Sequence, residues 1–155
     1  MILQAIGYLE TPFATIADCP RNGRRLEPAP ECLAVVEPRF QPGLAWIEGF
    51  SHLILLYWLG PQPEQVTIRP PFDGSERGVF ATRSPVRPNP IGLSVVAFAG
   101  LDGPGRLLVR YLDCRNRTPL LDIKPYLPTT DAEPGASMGW LAAGTDQRAG
   151  FGSNR

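Results

Sequence analysis

The stretch GVFATRSPVRPNPIGLSVV, residues 78–96, contains side chains that could bind an anion. Arg83 and Arg87 stand among three prolines, and an apolar segment follows directly. Proline fixes the backbone angle φ and donates no backbone hydrogen bond, so such a loop loses little entropy when it binds a ligand. A guanidinium group can hold a carboxylate or a phosphate by two parallel hydrogen bonds. The pattern favours a preorganised anion clamp; the alternative is that the arginines cover Phe80 and Phe98.

The stretch TPLLDIKPYLP, residues 118–128, offers side chains that could hold or transfer a proton. Asp122 and Lys124 are two residues apart, so on a strand they share a face and can pair. Tyr126 adds a phenolic hydroxyl and a flat ring. A structural ion pair at a sheet edge is the alternative to a role in a site.

His52 is the only histidine, which excludes a metal site built from several histidines. It is a candidate general base; the alternative is a strand histidine whose ring is hydrogen-bonded to a neighbouring loop. Ser51 precedes it, but adjacent strand residues point to opposite faces, so we expect no nucleophile–base pair here. The three cysteines, at positions 19, 32 and 114, form no C-x-x-C pair. We therefore predict neither a metal site nor a disulfide framework, and a reducing cytoplasm as the setting.

The 155 residues provide enough chain for one domain with a single core. The formal net charge is zero, so the overall field gives no indication of binding to nucleic acid or to an anionic membrane. Lys124 is the only lysine among the 15 basic residues; arginine suits phosphate and carboxylate, although codon usage is the alternative explanation. We find neither a signal-peptide pattern nor an apolar run long enough to cross a bilayer. Glycine motifs for nucleotide binding are absent from the sequence as well.

Short apolar segments bounded by Gly or Pro recur along the chain, which is typical of an all-β barrel or sandwich. Strands are expected at Leu3–Leu9, Leu33–Val36, Ala45–Ile47, Ser51–Leu59, Gly78–Thr82, Ile91–Ala99, Leu107–Asp113 and Leu120–Ile123. The segment HLILLYWL is apolar on both faces, which predicts a strand buried on both sides. Helical periodicity is weak, with one short turn expected at Met138–Ala143, and the last residues are typical of a frayed tail. If the strands close into a barrel, loops from one end bring several arginines to a common mouth.

Five segments, in order, resemble a known family. They are IGYLETPF (6–13), CPRNG (19–23), GFSHLILLYWL (49–59), GVFATRSPVRPNPIGLSVV (78–96) and TPLLDIKPYLP (118–128). On these segments the chain is similar to the TsaA-like proteins, also called the YaeB or TrmO type. The long string of arginine, proline and asparagine in the fourth segment is the most specific of the five.

The resemblance implies an all-β fold: a single small closed β-barrel with long loops and little helix, here over 1–145, with a tail at 146–155. It implies a homodimer that binds S-adenosylmethionine without a Rossmann fold. Characterised members methylate N6 of N6-threonylcarbamoyladenosine beside the anticodon, so the implied substrate partner is tRNA and the implied location is the cytoplasm. The implied cofactor contacts are Pro20, Arg21, Asn22, Leu59, Gly60, Arg83, Leu93, Asp113, Cys114, Arg115 and Asn116.

The acceptor nitrogen in that reaction is urea-like, and its proton has to be removed before or during attack. Asp122, Tyr126 and His52 are the catalytic candidates for that proton, and they remain unranked. Arg87 and Lys124 are the candidates for binding the substrate. We predict no metal ion in the site.

Three features depart from the family pattern. Asn22 replaces the glutamine of many members, and Asn116-Arg117 replaces an Asp-Gly pair. Longer members continue into a C-terminal domain that could contribute to RNA recognition, and this sequence stops at Arg155. Two alternative functions therefore stay open: a methyltransferase with another acceptor, and a protein that binds S-adenosylmethionine as a sensor.

Overall fold

The structure, a computed structural model, describes residues 2–61, 63, 65–70 and 74–142. Six antiparallel strands close into a barrel in the spatial order β1-β2-β7-β6-β3-β8. They are β1 (Gly7–Glu10), β2 (Glu31–Val36), β3 (His52–Trp58), β6 (Ile91–Leu101), β7 (Arg106–Arg110) and β8 (Thr118–Pro125). Strands β4 (Thr67–Ile68) and β5 (Arg77–Gly78) form a separate two-stranded ribbon. The predicted all-β closed barrel is confirmed.

Helical structure is limited to short pieces, as predicted. One α-helical turn, α1, spans Pro128–Asp131, and single 3-10 segments occur at Ile16–Asp18, Gly23–Arg25, Pro38–Leu44, Ile47–Gly49, Val79–Ala81 and Gly139–Leu141. The last of these agrees with the turn expected near Met138. No helix in the described ranges has the length and apolar character that a membrane span requires. The predicted tail at 146–155 lies outside the described residues, and the domain boundary at 145 stays a prediction.

The interior of the barrel is filled by every second residue of each strand. In β3, Leu53, Leu55 and Tyr57 are buried, whereas the alternate side chains are only half-buried. Burial on both faces of β3 was therefore a wrong prediction. A barrel wall has one inner and one outer surface, and no second layer covers the outer one as helices do in a parallel sheet.

Several strand predictions differ from the structure. Ala45–Ile47 lies between two 3-10 segments, where Trp46 adopts the left-handed value φ = 70°. Most of 78–82 is the 3-10 segment Val79–Ala81, and the first strand begins only at Gly7. Prolines at 38 and 42 precede the first failure, and their preset φ suits a 3-10 turn. Apolar character alone did not distinguish the tight turns near Trp46 and at Val79–Ala81 from strands, and the strand expected at Leu107–Asp113 ends at Arg110.

The connections at one end of the barrel, called the loop end below, hold the predicted cofactor contacts. The connections between β1 and β2, between β3 and β6, and between β7 and β8 all leave the barrel at this end. They include the predicted contacts at 20–22, at 59–60, at 83 and at 113–116. The antiparallel topology alone brings these four sequence segments to one end.

The barrel has one partly separated seam, between β6 and β7. Strand β6 pairs with β3 from Ile91 to Ala97, but its pairing with β7 covers only Ala97 to Leu101. Strand β7 ends at Arg110 because Tyr111 turns the chain with φ = 80°. Residues 91–96 of β6 thus have one edge without a strand partner in the described part of the chain. We call it the open edge.

Gly92 tests how tightly the inner side of this region is packed. It lies directly across from Tyr57, and a Cβ atom added to it would come within 2.1 Å of the Tyr57 ring. We expect Gly92→Ala to lower the free energy of unfolding by about 1–3 kcal/mol, because a fully buried ring must move. Urea unfolding monitored by circular dichroism measures the change.

Gly43→Ala is the matched control, because a Cβ at Gly43 would meet no atom within 4 Å. Its free energy of unfolding should stay within about 0.5 kcal/mol of the parent. Equal stabilities of the two variants would contradict the packing described here.

Candidate functional site

Two arginines from different loops lie along the open edge. Arg83 Nη2 donates to the carbonyl oxygen of Leu93 at 3.3 Å, and Arg24 Nη2 donates to that of Val95 at 3.4 Å. Both arginine residues are exposed, so their other N–H groups remain accessible. Arg24 was not among the predicted contacts, although its loop was notable for three closely spaced arginines. The edge thus combines backbone carbonyls with two positive charges.

The loop at 19–25 is attached to the segment that follows β7. The Arg24 guanidinium stacks over the Tyr111 ring at 4.6 Å, and Gly23 packs so closely that a Cβ would come within 2.1 Å of the Tyr111 carbonyl oxygen. Asn22 Oδ1 accepts a hydrogen bond from Arg24 N at 2.9 Å and caps the 3-10 turn. The predicted contacts at 20–22 are therefore held beside the predicted contacts at 113–116.

The Cys19 thiol and the Asp113 carboxylate interact electrostatically across these two segments. Burial raises the pKa of the Cys19 thiol, and the carboxylate of Asp113 raises it further. Such an effect of Asp113 requires the two side chains to lie close together. Predicted contacts separated by about ninety positions in the sequence are thus part of one surface.

Asp113 is bound from inside the barrel. The Tyr57 hydroxyl donates to Asp113 Oδ1 at 2.8 Å and is also 2.8 Å from Ser94 Oγ. Burial, and after it the nearby Asp113 carboxylate, raises the pKa of Tyr57 well above its usual range. Sequence reasoning missed Tyr57 and Ser94. The period-2 pattern could have placed Tyr57 inside with Leu53 and Leu55, but not its partners.

The segment after Asp113 is tied to the end of β1. Thr11 Oγ1 donates to the Cys114 carbonyl oxygen at 2.9 Å, and Asn116 N donates to the carbonyl oxygen of Phe13 at 2.8 Å. The Cys114 side chain is buried, and burial raises its thiol pKa to about 12. Only the backbone of Cys114 remains for a ligand contact, while Arg115 is exposed.

The predicted contacts after β3 also lie at the loop end. Leu59 N donates to the Pro90 carbonyl oxygen at 2.9 Å, directly before β6 begins. Gly60 adopts φ = 90°, which turns the chain away from the barrel. Both residues therefore border the first residues of the open edge.

Arg87 acts on its own loop. Its Nη1 atom donates to the carbonyl oxygens of Thr82 at 3.4 Å and of Ser84 at 3.3 Å. Among the described residues, neither Arg83 nor Arg87 stacks on an aromatic ring; the stacked arginines are Arg24, Arg39, Arg77 and Arg117. The arrangement does not match the alternative in which the pair covers Phe80 and Phe98. A role of Arg87 in substrate binding stays a prediction.

The outer face of β8, β3 and β6 carries two transverse rows of side chains. One row is Asp122, Leu56 and Leu93; the next is Lys124, Ile54 and Val95. Each row spans two strand spacings, about 10 Å. The first ends at the residue that Arg83 contacts, and the second at the residue that Arg24 contacts. The apolar middle of this face therefore lies between charged groups on both sides.

Asp122 and Lys124 pair as their spacing predicted. Lys124 Nζ lies 2.7 Å from Asp122 Oδ2, and the hydrogen bond to Asp122 raises the pKa of the lysine. Asp122 Oδ1 accepts from Ile123 N at 2.9 Å. Both residues are on the outer face of the barrel. The pair is therefore accessible to a ligand that lies across β3.

His52 and Tyr126 lie at the other end of β3, about 20 Å along the strand from Leu59. Their rings meet edge to face with centroids 6.3 Å apart, and Tyr126 N donates to the His52 carbonyl oxygen at 3.1 Å. Ser51 Oγ is 3.0 Å from His52 Nδ1, which corrects the expectation that these neighbours point apart. Ser51 precedes β3 and does not follow the alternation of the strand.

A shallow cleft of about 540 Å³ joins this end to the open edge. It is lined by Arg24, Ser51, His52, Val95, Tyr126, Pro128 and Asp131. Arg24 and Val95 belong to both features, so two of the catalytic candidates, His52 and Tyr126, share a cleft with residues of the open edge. The sequence predicted a common mouth at the end of the barrel; the structure adds this cleft on its side. No group of three or more potential metal ligands occurs among the described residues.

The family described as the tRNA-methyltransferase O N-terminal domain matches residues 8–132. An S-adenosyl-L-methionine-binding protein of Archaeoglobus fulgidus is 43% identical, with 84% of this chain and 93% of the relative covered. A second, probable S-adenosyl-L-methionine-binding protein of that organism is 41% identical over 94% of this chain and 39% of its own length. The tRNA (adenine(37)-N6)-methyltransferase of Rattus norvegicus is 33% identical, and the match covers 85% of this chain and 32% of the relative.

Among solved structures, the crystal structure of TrmO from Pseudomonas aeruginosa superposes with a TM-score of 0.74 at 34% identity. The match covers 90% of this chain and 61% of that protein. The chain therefore spans less than two thirds of the solved TrmO and about a third of the rat enzyme. The barrel and its sequence motifs agree over most of the described length, and this chain belongs to the tRNA-methyltransferase O N-terminal domain family.

Proposed function

We propose that this protein is an S-adenosylmethionine-dependent methyltransferase that modifies N6 of an adenine in tRNA, with N6-threonylcarbamoyladenosine beside the anticodon as the substrate. The main support for the proposal is the open edge of β6, where guanidinium groups, a carboxylate and backbone carbonyls lie together. Family membership and the names of the archaeal and rat relatives support the cofactor and the tRNA.

The chemistry of the residues present suits S-adenosylmethionine. Its carboxylate needs a cation, which Arg83 or Arg21 supplies, and its O–H and N–H donors need an acceptor, which Asp113 supplies. Leu93 is 44% exposed on the open edge and provides apolar surface for a ring. When bound, the cofactor supplies an electrophilic methyl group. The protein's contribution is then to align the acceptor nitrogen with that group.

The outer face next to the open edge is where we place the acceptor base. Threonylcarbamoyladenosine carries a carboxylate, and Arg24 and Lys124 offer positive charge on opposite sides of β3. The flat rings of His52 and Tyr126 line the adjoining cleft and suit a base plane. Within this arrangement Arg87 keeps the Arg83 loop in shape, and any substrate contact it makes is additional.

Among the three candidates for the acceptor proton, we place Asp122 first. It shares a transverse row with Leu56 and Leu93, whereas His52 is four residues from Leu56 and Tyr126 is four residues from Asp122, just beyond the end of β8. Lys124 holds one carboxylate oxygen at 2.7 Å and so fixes the orientation of the carboxylate.

We also propose that the protein forms a homodimer and is located in the cytoplasm. Met138 and Leu141 are exposed apolar side chains near the end of the described residues, and a second copy would cover them. The three cysteines are free thiols, which suits a reducing compartment.

Incubation with radiolabelled S-adenosylmethionine and tRNA from a strain that lacks the endogenous enzyme tests the proposed function. We expect label in N6-methyl-threonylcarbamoyladenosine after nuclease digestion. The control is tRNA from a strain that cannot make the threonylcarbamoyl group, which should stay unlabelled. Label in both tRNA pools, or in neither, would contradict the proposed substrate.

A second candidate, a binding protein without catalysis, is favoured by one observation. The A. fulgidus relative that this chain covers almost completely is described only as binding S-adenosylmethionine. Tight binding of the cofactor without methyl transfer to tRNA or to any fraction of a cell extract would support this candidate.

Arg83→Ala should weaken binding of S-adenosylmethionine about 10- to 100-fold, because it removes charge-assisted hydrogen bonds to the ligand. Isothermal titration calorimetry measures the dissociation constant. Arg39→Ala is the control: Arg39 pairs with Glu37 at the end of the barrel opposite the loop end, and its loss should leave the affinity unchanged. Equal affinities of the parent and Arg83→Ala would refute the assigned role.

Asp122→Asn should lower kcat for methyl transfer at least about 100-fold, because the amide cannot accept the proton. The dissociation constant for S-adenosylmethionine should stay within about twofold, since Asp122 lies two strands from the open edge. Tyr126→Phe and His52→Gln, measured in the same assay, should have smaller effects on kcat. A larger loss in either variant would move the catalytic role to that residue.

A further inference from the structure

A buried polar group lies directly beneath the open edge. The side chain of Tyr57 is 2% exposed, and its hydroxyl is 2.8 Å from both Ser94 Oγ and Asp113 Oδ1. A phenol has one proton, and an ionised carboxylate can only accept. Tyr57 therefore donates to Asp113 and accepts from Ser94, so the direction of each hydrogen bond is determined.

Tyr57 remains protonated and serves as a permanent donor. Burial and the Asp113 carboxylate together raise the pKa of Tyr57 far above its usual range. At any pH at which the protein is folded and active, the phenol then keeps its proton. Tyr57 consequently does not act as a proton carrier.

The hydrogen bond uses only one side of the Asp113 carboxylate. Oδ1 accepts from Tyr57, whereas Oδ2 has no hydrogen-bond partner among the described residues. Asp113 is half-exposed, and its segment is held by Thr11 on one side and lies against the loop of Cys19 on the other. One oxygen is thus held from inside the barrel, and the other is available to a ligand.

The barrel is shaped to admit the phenol at this point. Gly92 lies across from Tyr57, and any side chain there would collide with the ring. A phenylalanine would fill the same volume, so packing alone does not require the hydroxyl. Burying the hydroxyl groups of Tyr57 and Ser94 costs free energy that an apolar pair would not cost. The hydroxyl is therefore best explained by what it does to Asp113.

We propose that Tyr57 is a positioning residue: it holds the Asp113 carboxylate so that the free oxygen accepts an N–H or O–H group of a nucleoside cofactor at the open edge. The inference rests on the proposed function for the identity of the cofactor. Tyr57 lies on the inner face of the barrel and does not touch the ligand. It would nevertheless contribute to cofactor affinity.

A double-mutant cycle with S-adenosylmethionine tests this inference. Tyr57→Phe and Asp113→Asn should each weaken binding about tenfold in calorimetric titration. The double variant should bind no more weakly than Asp113→Asn alone, because Tyr57 acts only through Asp113. Unchanged affinity in Tyr57→Phe, or additive losses in the double variant, would overturn the inference.

Two controls separate positioning from stability. Val109→Ala removes volume from the same buried core on β7 and should lower the melting temperature without changing the dissociation constant. Leu107→Ala, a second truncation in this core, should likewise lower the melting temperature without changing the dissociation constant. An affinity loss in Val109→Ala equal to that in Tyr57→Phe would reduce Tyr57 to a structural role.

The inference and the proposed function fail in different ways. Cofactor binding without methyl transfer would contradict the proposed function and leave the role of Tyr57 supported by the cycle. Normal methyl transfer with full affinity in Tyr57→Phe would overturn the role of Tyr57 alone. No binding of S-adenosylmethionine by the parent protein would overturn both.

Discussion

The candidate site is built along residues 91–96 of β6, whose outer edge has no strand partner in the described part of the chain. A closed barrel normally satisfies the backbone groups of each strand through its two neighbours and leaves no edge. Here β7 ends early, and the carbonyl oxygens of Leu93 and Val95 accept from arginines instead. An arginine can move or share its hydrogen bonds, whereas a strand cannot leave without opening the barrel. In the described part of the chain, the open edge is therefore a part of the wall whose hydrogen-bond partners can change without a strand leaving the barrel.

Support for this edge comes from both sides of the wall. On the inside, Tyr57 connects Ser94 with Asp113. On the outside, stacking on Tyr111 holds Arg24 in place. The Arg83 loop is stiffened by its prolines and by the two hydrogen bonds of Arg87. Groups held in this way lose little entropy on binding, so a shallow site with few contacts can still have useful affinity.

The sequence was sufficient for features that depend on local spacing. Most strands were located from apolar segments bounded by Gly or Pro, and the Asp122–Lys124 pair followed from an i, i+2 spacing. Contacts that depend on strand register could not be predicted from the sequence. Tyr57 could be assigned to the inner face, but its contact with Asp113, 56 positions away, requires knowing that β7 ends at Arg110. The failure at Ala45–Ile47 arose because a short apolar segment after a proline resembles a strand in sequence unless the left-handed turn at Trp46 is known.

Zero net charge does not make this site electrically neutral. Elsewhere on the surface arginines pair with carboxylates, as Arg39 does with Glu37 and Arg110 with Glu31. Among the described residues, Arg24 and Arg83 instead donate to neutral backbone carbonyls. A carbonyl orients a guanidinium without cancelling its charge, so the positive potential stays at the open edge. A chain with equal numbers of acidic and basic residues can thus attract an anionic ligand locally, and composition alone could not have excluded a nucleic-acid substrate.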